Sequence, residues 1–212
     1  MKIRNCFYMS VMTAFLACGP AGASIIYNFT TVTPGTGANS GLFDWQYIAV
    51  LSPDQKVGPT TSAGAAAIDM ATIFDFFGAT SAVYSNVFAG ITPTATLENT
   101  SPMAANQSVP DSAAVRNVRT NITGTATPSG TTAINLYTID IFSTSGVRGS
   151  FDFQSGQALK NVPGDPTDGT VAGNTVSVEA PSVPTTVPEP ASMVLLGSSL
   201  IGLGFLRRTQ RS

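Results

Sequence analysis

Apolar and polar residues alternate with a period of two along much of the central chain, which is typical of β-strands with one buried face. The alternation is clearest at residues 27–29, 43–47, 118–122, 151–153 and 176–178. Residues 134–142 are instead apolar on both faces, as expected for a central strand. This pattern predicts a mainly β ectodomain over residues 24–179, built as a single antiparallel β-sandwich of the jelly-roll or immunoglobulin-like type.

Three local features add detail to this pattern. Gly173 and Asn174 separate two short apolar segments and predict a two-residue hairpin turn. Residues 63–71 are rich in alanine and predict one or two helical turns. Residues 164–169 (GDPTDG) combine turn formers with two carboxylates, so they fit a plain β-turn or an exported calcium loop. We expect the plain turn, because the alternating ligand spacing of an EF-hand is missing.

The N-terminus has the three parts of a secretory signal peptide. A short basic segment precedes the apolar residues 6–18, which at about 13 residues are too short to cross a hydrocarbon core of roughly 30 Å. Ala21 and Ala23 then supply the small residues that signal peptidase requires, and Ser24 follows them. We therefore expect signal peptidase to remove residues 1–23. A lipoprotein signal ending at Cys18 is the alternative, but Phe15 stands where such signals usually carry leucine.

The C-terminus has its own tripartite order. A Pro/Ser/Thr-rich linker is predicted at residues 180–186. Residues 191–206 are apolar and uncharged, and as a helix they would span about 24 Å at 1.5 Å per residue. This predicts a short transmembrane helix, since flanking arginines can reach the membrane interface. The residues that frame this helix are the motif Pro188, Glu189 and Pro190 before it and the stop-transfer cluster Arg207, Arg208 and Arg211 behind it.

The physical roles of these flanking residues differ. The two prolines hold the motif in an extended backbone that a processing enzyme can bind, whereas the arginines mark the cytoplasmic side of the membrane. Residues 187–212 resemble the PEP-CTERM sorting signal, a tail that also goes by an ice-binding-protein C-terminal name. The resemblance implies export by a Gram-negative, exopolysaccharide-producing bacterium. It also implies recognition of Pro188–Pro190 by an exosortase, a membrane-embedded cysteine transpeptidase.

Composition excludes several kinds of chemistry. The chain has no histidine, and its two cysteines, Cys6 and Cys18, lie in the signal segment. Ser-His-Asp or Cys-His catalysis and imidazole or thiolate metal sites are therefore excluded, and we expect no cofactor. Half of the ten basic residues lie at the two ends, so the mature domain is acidic. An acidic domain lacks the clustered cations that nucleic acid requires, and we expect no nucleic-acid partner.

Carboxylates and threonines leave other hypotheses open. Asp75 and Asp140 lie within apolar segments, and a buried pair would be the best candidate for glycoside hydrolysis, although structural roles are the commoner outcome. Trp45 is a candidate sugar contact, against the more common place of tryptophan in the core. The Thr-x-Thr groups at 31–33, 92–96 and 123–127 raise ice binding, but their spacing is irregular and β-propensity alone explains them.

The sequence therefore predicts an exported, exosortase-processed protein of the cell surface or extracellular matrix. Before processing it would be a single-pass protein of the inner membrane. We expect a structural or exopolysaccharide-associated role without catalysis, with exopolysaccharide as one partner. The alternative is a secreted carbohydrate-active enzyme, or a carbohydrate-binding module, that works through carboxylates.

Overall fold

The structure is a computed structural model that describes residues 25–58, 69–100 and 111–182. These residues form ten β-strands, and the one helix among them is a 3-10 turn at Gly37–Asn39. The strands are β1 (Ile25–Pro34), β2 (Phe43–Leu51), β3 (Gln55–Lys56), β4 (Asp69–Ile73), β5 (Ala79–Ser85), β6 (Ile91–Glu98), β7 (Asn117–Gly124), β8 (Ile134–Ser143), β9 (Arg148–Lys160) and β10 (Val171–Pro181).

The strands are arranged in two antiparallel sheets. The smaller sheet has the order β1-β2-β8-β5, and the larger has the order β10-β9-β4-β7-β6, with β3 pairing to β9. The mainly β prediction is thus confirmed. The choice between a jelly-roll and an immunoglobulin-like sandwich stays a prediction.

One hydrophobic core lies between the two sheets. Along β2, alternate residues from Trp45 to Leu51 are fully buried, and they pack in one cluster with Ile73 of β4 and Val118 of β7. The Trp45 ring lies 6.0 Å from that of Phe76, and its indole N–H donates to the carbonyl of Ser145 at 2.9 Å. Burying side chains of this size stabilises by about 2–3 kcal/mol each. Trp45 is therefore a core residue, and it offers no surface to a sugar.

A group of three tyrosines, two of them fully buried and one partly buried, ties the sheets together. The hydroxyl of Tyr27 lies 2.7 Å from Thr120 Oγ1 and 3.0 Å from the hydroxyl of Tyr137. The hydroxyl of Tyr84 lies 2.9 Å from the same Thr120 oxygen. Tyr27, Tyr84 and Tyr137, the tyrosine cluster, belong to the smaller sheet, whereas Thr120 belongs to β7 of the larger. Burial raises the pKa of all three hydroxyls above the ordinary value of 10, so they remain neutral donors.

The edge strand β1 is held against β9 by the Gln154 side chain, which hydrogen-bonds to the β1 backbone as a neighbouring strand would. The carboxamide of Gln154 accepts a hydrogen bond from the Tyr27 N–H and donates one to the Tyr27 carbonyl, the latter at 2.8 Å. Two residues on, a Cβ on Gly156 would lie only 1.9 Å from the backbone oxygen of Ile25. Glycine is therefore required where the two backbones cross.

Two local predictions are wrong, and the first is wrong because β9 is 13 residues long and needs an extended partner. Gly173 and Asn174 form no turn but pair with Gln157 and Gly156 inside β10. The connection from β9 to β10 is made by residues 161–170 instead. The helical prediction fails at residues 69–71, which belong to β4, while residues 63–68 lie outside the described part of the chain.

The predicted start of the linker also needs correction. Strand β10 continues beyond residue 179, with Ala180 opposite Gly149 and Pro181 opposite Arg148. Ala180 is fully buried, so it belongs to the folded domain. Residues 183–186 of the predicted linker lie outside the described residues.

Candidate functional site

A shallow groove of about 360 Å³ opens where β9 begins and β10 ends. Its lining residues are Arg148, Gly149, Ser177, Val178 and Glu179. The β10 register shifts between Val178 and Ala180, so that Glu179 stands at an irregularity of the strand. Such a bulge bends a strand and redirects a side chain, which accounts for a groove at this place in the sheet.

The charged pair in the groove is accessible to a ligand. Arg148 Nη1 lies 3.2 Å from Glu179 Oε1, and the guanidinium carbon lies 4.8 Å from the centre of the Phe29 ring. The Arg148 side chain is 53% exposed, so its ion pair contributes less than about 1 kcal/mol. A guanidinium has five donors, and at this exposure it can still bind a carboxylate or hydroxyl from solution. The groove therefore combines a cation and a carboxylate, and the Phe29 ring lies beneath the cation.

No pattern in the sequence indicates this groove. Arg148 was one of only five basic residues outside the chain ends, and that scarcity was the available signal. Its neighbours Phe29 and Glu179 come from β1 and β10, at the opposite ends of the described chain. Only the folding of both sheets around one core brings them together.

Asp75 and Asp140 do not form the buried pair that was considered for glycoside hydrolysis. Asp75 lies in the turn after β4 with a left-handed φ of 52°, and its carboxylate accepts the Ser112 N–H at 2.9 Å. Burial, with a further contribution from Asp111, raises its pKa. Asp140 lies on β8 of the other sheet and accepts the side-chain amide of Gln46 at 2.9 Å. Both carboxylates are only partly buried.

Asp140 has a different acidic neighbour, Asp44. In the pairing of β2 with β8, Asp44 lies opposite Phe142 and Asp140 lies opposite Gln46, so the two acids are diagonal neighbours. Burial raises the pKa of Asp44, and the negative charge of Asp140 adds to the effect. The fold therefore brings the carboxylates of Asp44 and Asp140 close to each other.

The most strongly perturbed carboxylate, Asp69, lies at the start of β4. Its side chain is buried, at 5% exposure, and accepts the N–H of Gly58 at 2.9 Å. Burial raises its pKa to about 7, and the hydrogen bond from Gly58, which lowers the pKa, offsets only part of this effect. No sequence pattern indicated that Asp69 would be buried with a raised pKa, because the neighbouring alanines predicted a helix.

Residues 164–169 form a turn whose carboxylates are already bound within the protein. Asp165 accepts the N–H and the hydroxyl of Thr167, at 2.7 and 2.6 Å, and Asp168 lies 2.9 Å from Lys56 Nζ. These partners lower the pKa of both carboxyls. Among residues 25–58, 69–100 and 111–182, no group of three or more Asp, Glu, His or Cys side chains is placed to hold a metal ion.

The threonine groups do not form one array. Thr92, Thr94 and Thr96 point outward from β6 in the larger sheet, with Thr123 opposite Thr92. Residues 31–33 lie on β1, in the smaller sheet. A flat lattice of threonines across all three groups is therefore absent from the described strands.

The residues predicted to direct export and processing lie outside the described residues. They are Ala21, Ala23 and Ser24 at the N-terminus and Pro188, Glu189, Pro190, Arg207, Arg208 and Arg211 at the C-terminus. The predicted transmembrane helix 191–206 lies outside them as well. In the part of the chain that is described, no helix has the length and apolar character needed to cross a membrane.

Comparison with known families bears directly on the C-terminus. A family model of the PEP-CTERM protein-sorting motif matches residues 186–208, which include the Pro-Glu-Pro motif and the first two of the three arginines. The resemblance deduced from the residues is thus confirmed, and the chain carries a PEP-CTERM protein-sorting motif. A protein with this motif is exported, processed by exosortase, and destined for the cell surface or the extracellular space. No curated protein and no solved structure matches the chain.

Proposed function

We propose that the β-domain is a non-catalytic component of the cell surface or of the exopolysaccharide matrix. One observation carries the proposal: a sorting motif matches residues 186–208, shortly after β10, the last described strand, which ends at Pro181. The acidic, low-charge composition of the domain and its lack of histidine and cysteine agree with a structural role. The bacterium would be Gram-negative, as the motif implies.

The route to that destination has two processing steps. Signal peptidase would cleave after Ala23, leaving Ser24 as the new N-terminus. The precursor would then stay in the inner membrane through helix 191–206, with the arginine cluster in the cytoplasm. Exosortase would bind Pro188–Pro190 at the outer face of that membrane and release the domain from its anchor.

Within this proposal the groove beside Arg148 binds the exopolysaccharide of the same host. The guanidinium keeps donors beyond its ion pair with Glu179, and these can donate to sugar oxygens. The groove is shallow and open, which suits a chain that passes across the surface rather than a small molecule that is enclosed. Such contacts are weak individually and add up over many copies on one polymer.

Processing is tested in the native host with the full chain and a variant in which residues 188–190 are all alanine. We expect mass spectrometry of the wild type to show a start at Ser24 and loss of the residues after the motif. The alanine variant should keep its tail and stay in the inner-membrane fraction. A wild-type chain recovered with both ends intact would contradict the proposal.

Matrix binding is tested by co-sedimentation of the processed protein with exopolysaccharide from the same host. Arg148→Gln should reduce binding several-fold, whereas Arg119→Gln is the matched control. Arg119 also pairs with an acid, Glu98, but it lies on β7 and away from the groove. Equal loss in the two variants would assign binding to net charge instead of the groove.

A carbohydrate-active enzyme is the second candidate, and the Asp44–Asp140 pair is the observation in its favour. Asp44 has the raised pKa expected of a general acid, and the two carboxylates lie on adjacent strands. Hydrolysis of a polysaccharide panel that is lost in both Asp44→Asn and Asp140→Asn would support this candidate. Asp75→Asn is the control, because its carboxylate has a different set of partners.

A further inference from the structure

The folded domain holds its chain as far as Ser182. The Ser182 N–H donates to the carbonyl of Val147 at 2.9 Å, and the Ser145 hydroxyl donates to the Ser182 carbonyl at 3.0 Å. Pro181 and Ala180 before it are buried. The end of β10 is therefore fastened to the turn at residues 144–147, which we name the exit turn.

Hydrogen bonds also hold the exit turn against the core. The Ser145 carbonyl accepts the indole N–H of Trp45 at 2.9 Å, and the Ser145 N–H donates to Ser143 Oγ at 3.0 Å. The hydroxyl of Tyr47 donates to the carbonyl of Glu179 at 2.7 Å, one residue before the buried Ala180. Because freeing the strand end would break these hydrogen bonds and expose Ala180, the domain does not lengthen its own tether by unravelling.

The tether between the domain and the sorting motif is consequently short. Residues 183–187 are all that separate Ser182 from Pro188. At no more than about 3.6 Å per residue, the path from Ser182 to Pro188 is at most about 20 Å. A compact domain of about 160 residues has a radius of gyration of about 15 Å, so it is wider than its tether is long.

From this geometry we infer that an enzyme with the motif in its active site also contacts the exit turn of the folded domain. The inference rests on the proposed processing by exosortase and adds a second recognition surface to it. Val147, in this turn, is 50% exposed and offers an apolar contact beside the point where the chain leaves the domain. Tether length and the exit turn then both limit the rate of cleavage.

Tether length is tested by deleting residues 183–186 from the full chain and following tail removal in the host after a pulse of synthesis. The deletion begins beyond the last described hydrogen bond of the domain, at Ser182, and it brings the motif to within two residues of Ser182. We expect processing to slow at least about tenfold. Replacement of the same four residues by Gly-Ser-Gly-Ser is the matched control and should be processed at the wild-type rate.

The exit turn is tested with Val147→Glu, for which Val83→Glu is the matched control. Val83 has a similar exposure of 54%, but it lies midway along β5 in the smaller sheet. We expect Val147→Glu to slow processing about threefold or more and Val83→Glu to have no effect. A wild-type rate for either the deletion or Val147→Glu would overturn the inference.

Two further experiments distinguish failure of the inference from failure of the proposed function and from binding of the exit turn to lipid. If a chain with alanine at residues 188–190 keeps its tail while the deletion is processed normally, the inference fails and the proposed function stands. If that alanine variant is processed, the proposed function itself fails. Binding of the processed protein to enzyme-free vesicles of phosphatidylethanolamine and phosphatidylglycerol, abolished by Val147→Glu, would assign the exit turn to lipid and overturn the inference.

Discussion

Replacing the buried Asp69 by asparagine is expected to stabilise the protein at neutral pH and above. The carboxyl is only 5% exposed and accepts the N–H of Gly58. Burial raises its pKa from 3.8 to about 7, since the charged form loses its hydration inside the domain. An asparagine amide is similar in size, carries no charge and can still accept the Gly58 hydrogen bond.

The size and sign of the effect follow from the two pKa values. Between about pH 4 and pH 7 the folded protein holds a proton at Asp69 that the unfolded chain has lost. The free energy of unfolding therefore falls as pH rises through this window and levels off above about pH 7. At about 1.4 kcal/mol per pH unit, the full penalty is about 4 kcal/mol. We expect the free energy of unfolding of Asp69→Asn to exceed that of the wild type by about 2–4 kcal/mol at about pH 8, and by almost nothing at about pH 4.

Urea unfolding measured across this pH range, followed by tryptophan fluorescence, provides the assay. Trp45 is the only tryptophan and is fully buried, so its emission reports on the core. Asp165→Asn is the control: Asp165 lies in an exposed turn and Thr167 lowers its pKa, so any stability that it contributes is lost as pH falls. Parallel pH profiles for Asp69→Asn and the wild type, or a less stable variant at about pH 8, would refute the reasoning.

Three further predictions concern the join between the sheets. Gly156→Ala should lower the free energy of unfolding, measured in urea, by about 2–4 kcal/mol, because the alanine Cβ would clash with the Ile25 backbone. Gly58→Ala is the control and should be near neutral, because the nearest contact of its Cβ is at 4.0 Å. Gln154→Ala should cost about 2–4 kcal/mol, since it leaves the N–H and carbonyl of Tyr27 unpaired; an unchanged midpoint would contradict this. The tyrosine cluster should resist ionisation in ultraviolet titration until the protein unfolds, and stability should fall as pH rises above about 10; reversible titration near 10 in the folded state would contradict its burial.

The period-two alternation was sufficient to locate most long strands. The segments at 27–29, 43–47, 118–122, 151–153 and 176–178 fall within β1, β2, β7, β9 and β10. The alternation works there because one face of each strand meets the core. It failed at Asp69–Ile73, where all five residues are buried between β7 and β9. A strand covered on both faces shows no alternation, and its alanines favoured a helix instead.

The ends of the chain could be interpreted without any fold. The sorting motif depends on local order alone, namely a stiff Pro-Glu-Pro segment, an apolar run and a basic end, and the family match at residues 186–208 agrees with it. Charge and hydropathy act on each residue independently of its distant neighbours. The sequence by itself was therefore enough to identify the sorting motif.

Only the tertiary structure decided which distant residues meet. Arg148 lies beside both Phe29 and Glu179, Asp140 lies beside Asp44 instead of Asp75, and β10 stays paired beyond residue 179. These outcomes bring together residues up to 150 positions apart in the chain, as with Phe29 and Glu179 around Arg148. Alternation shows that a strand has a buried face but carries no information about its partner, so pairing is settled only when two whole sheets close over a shared core.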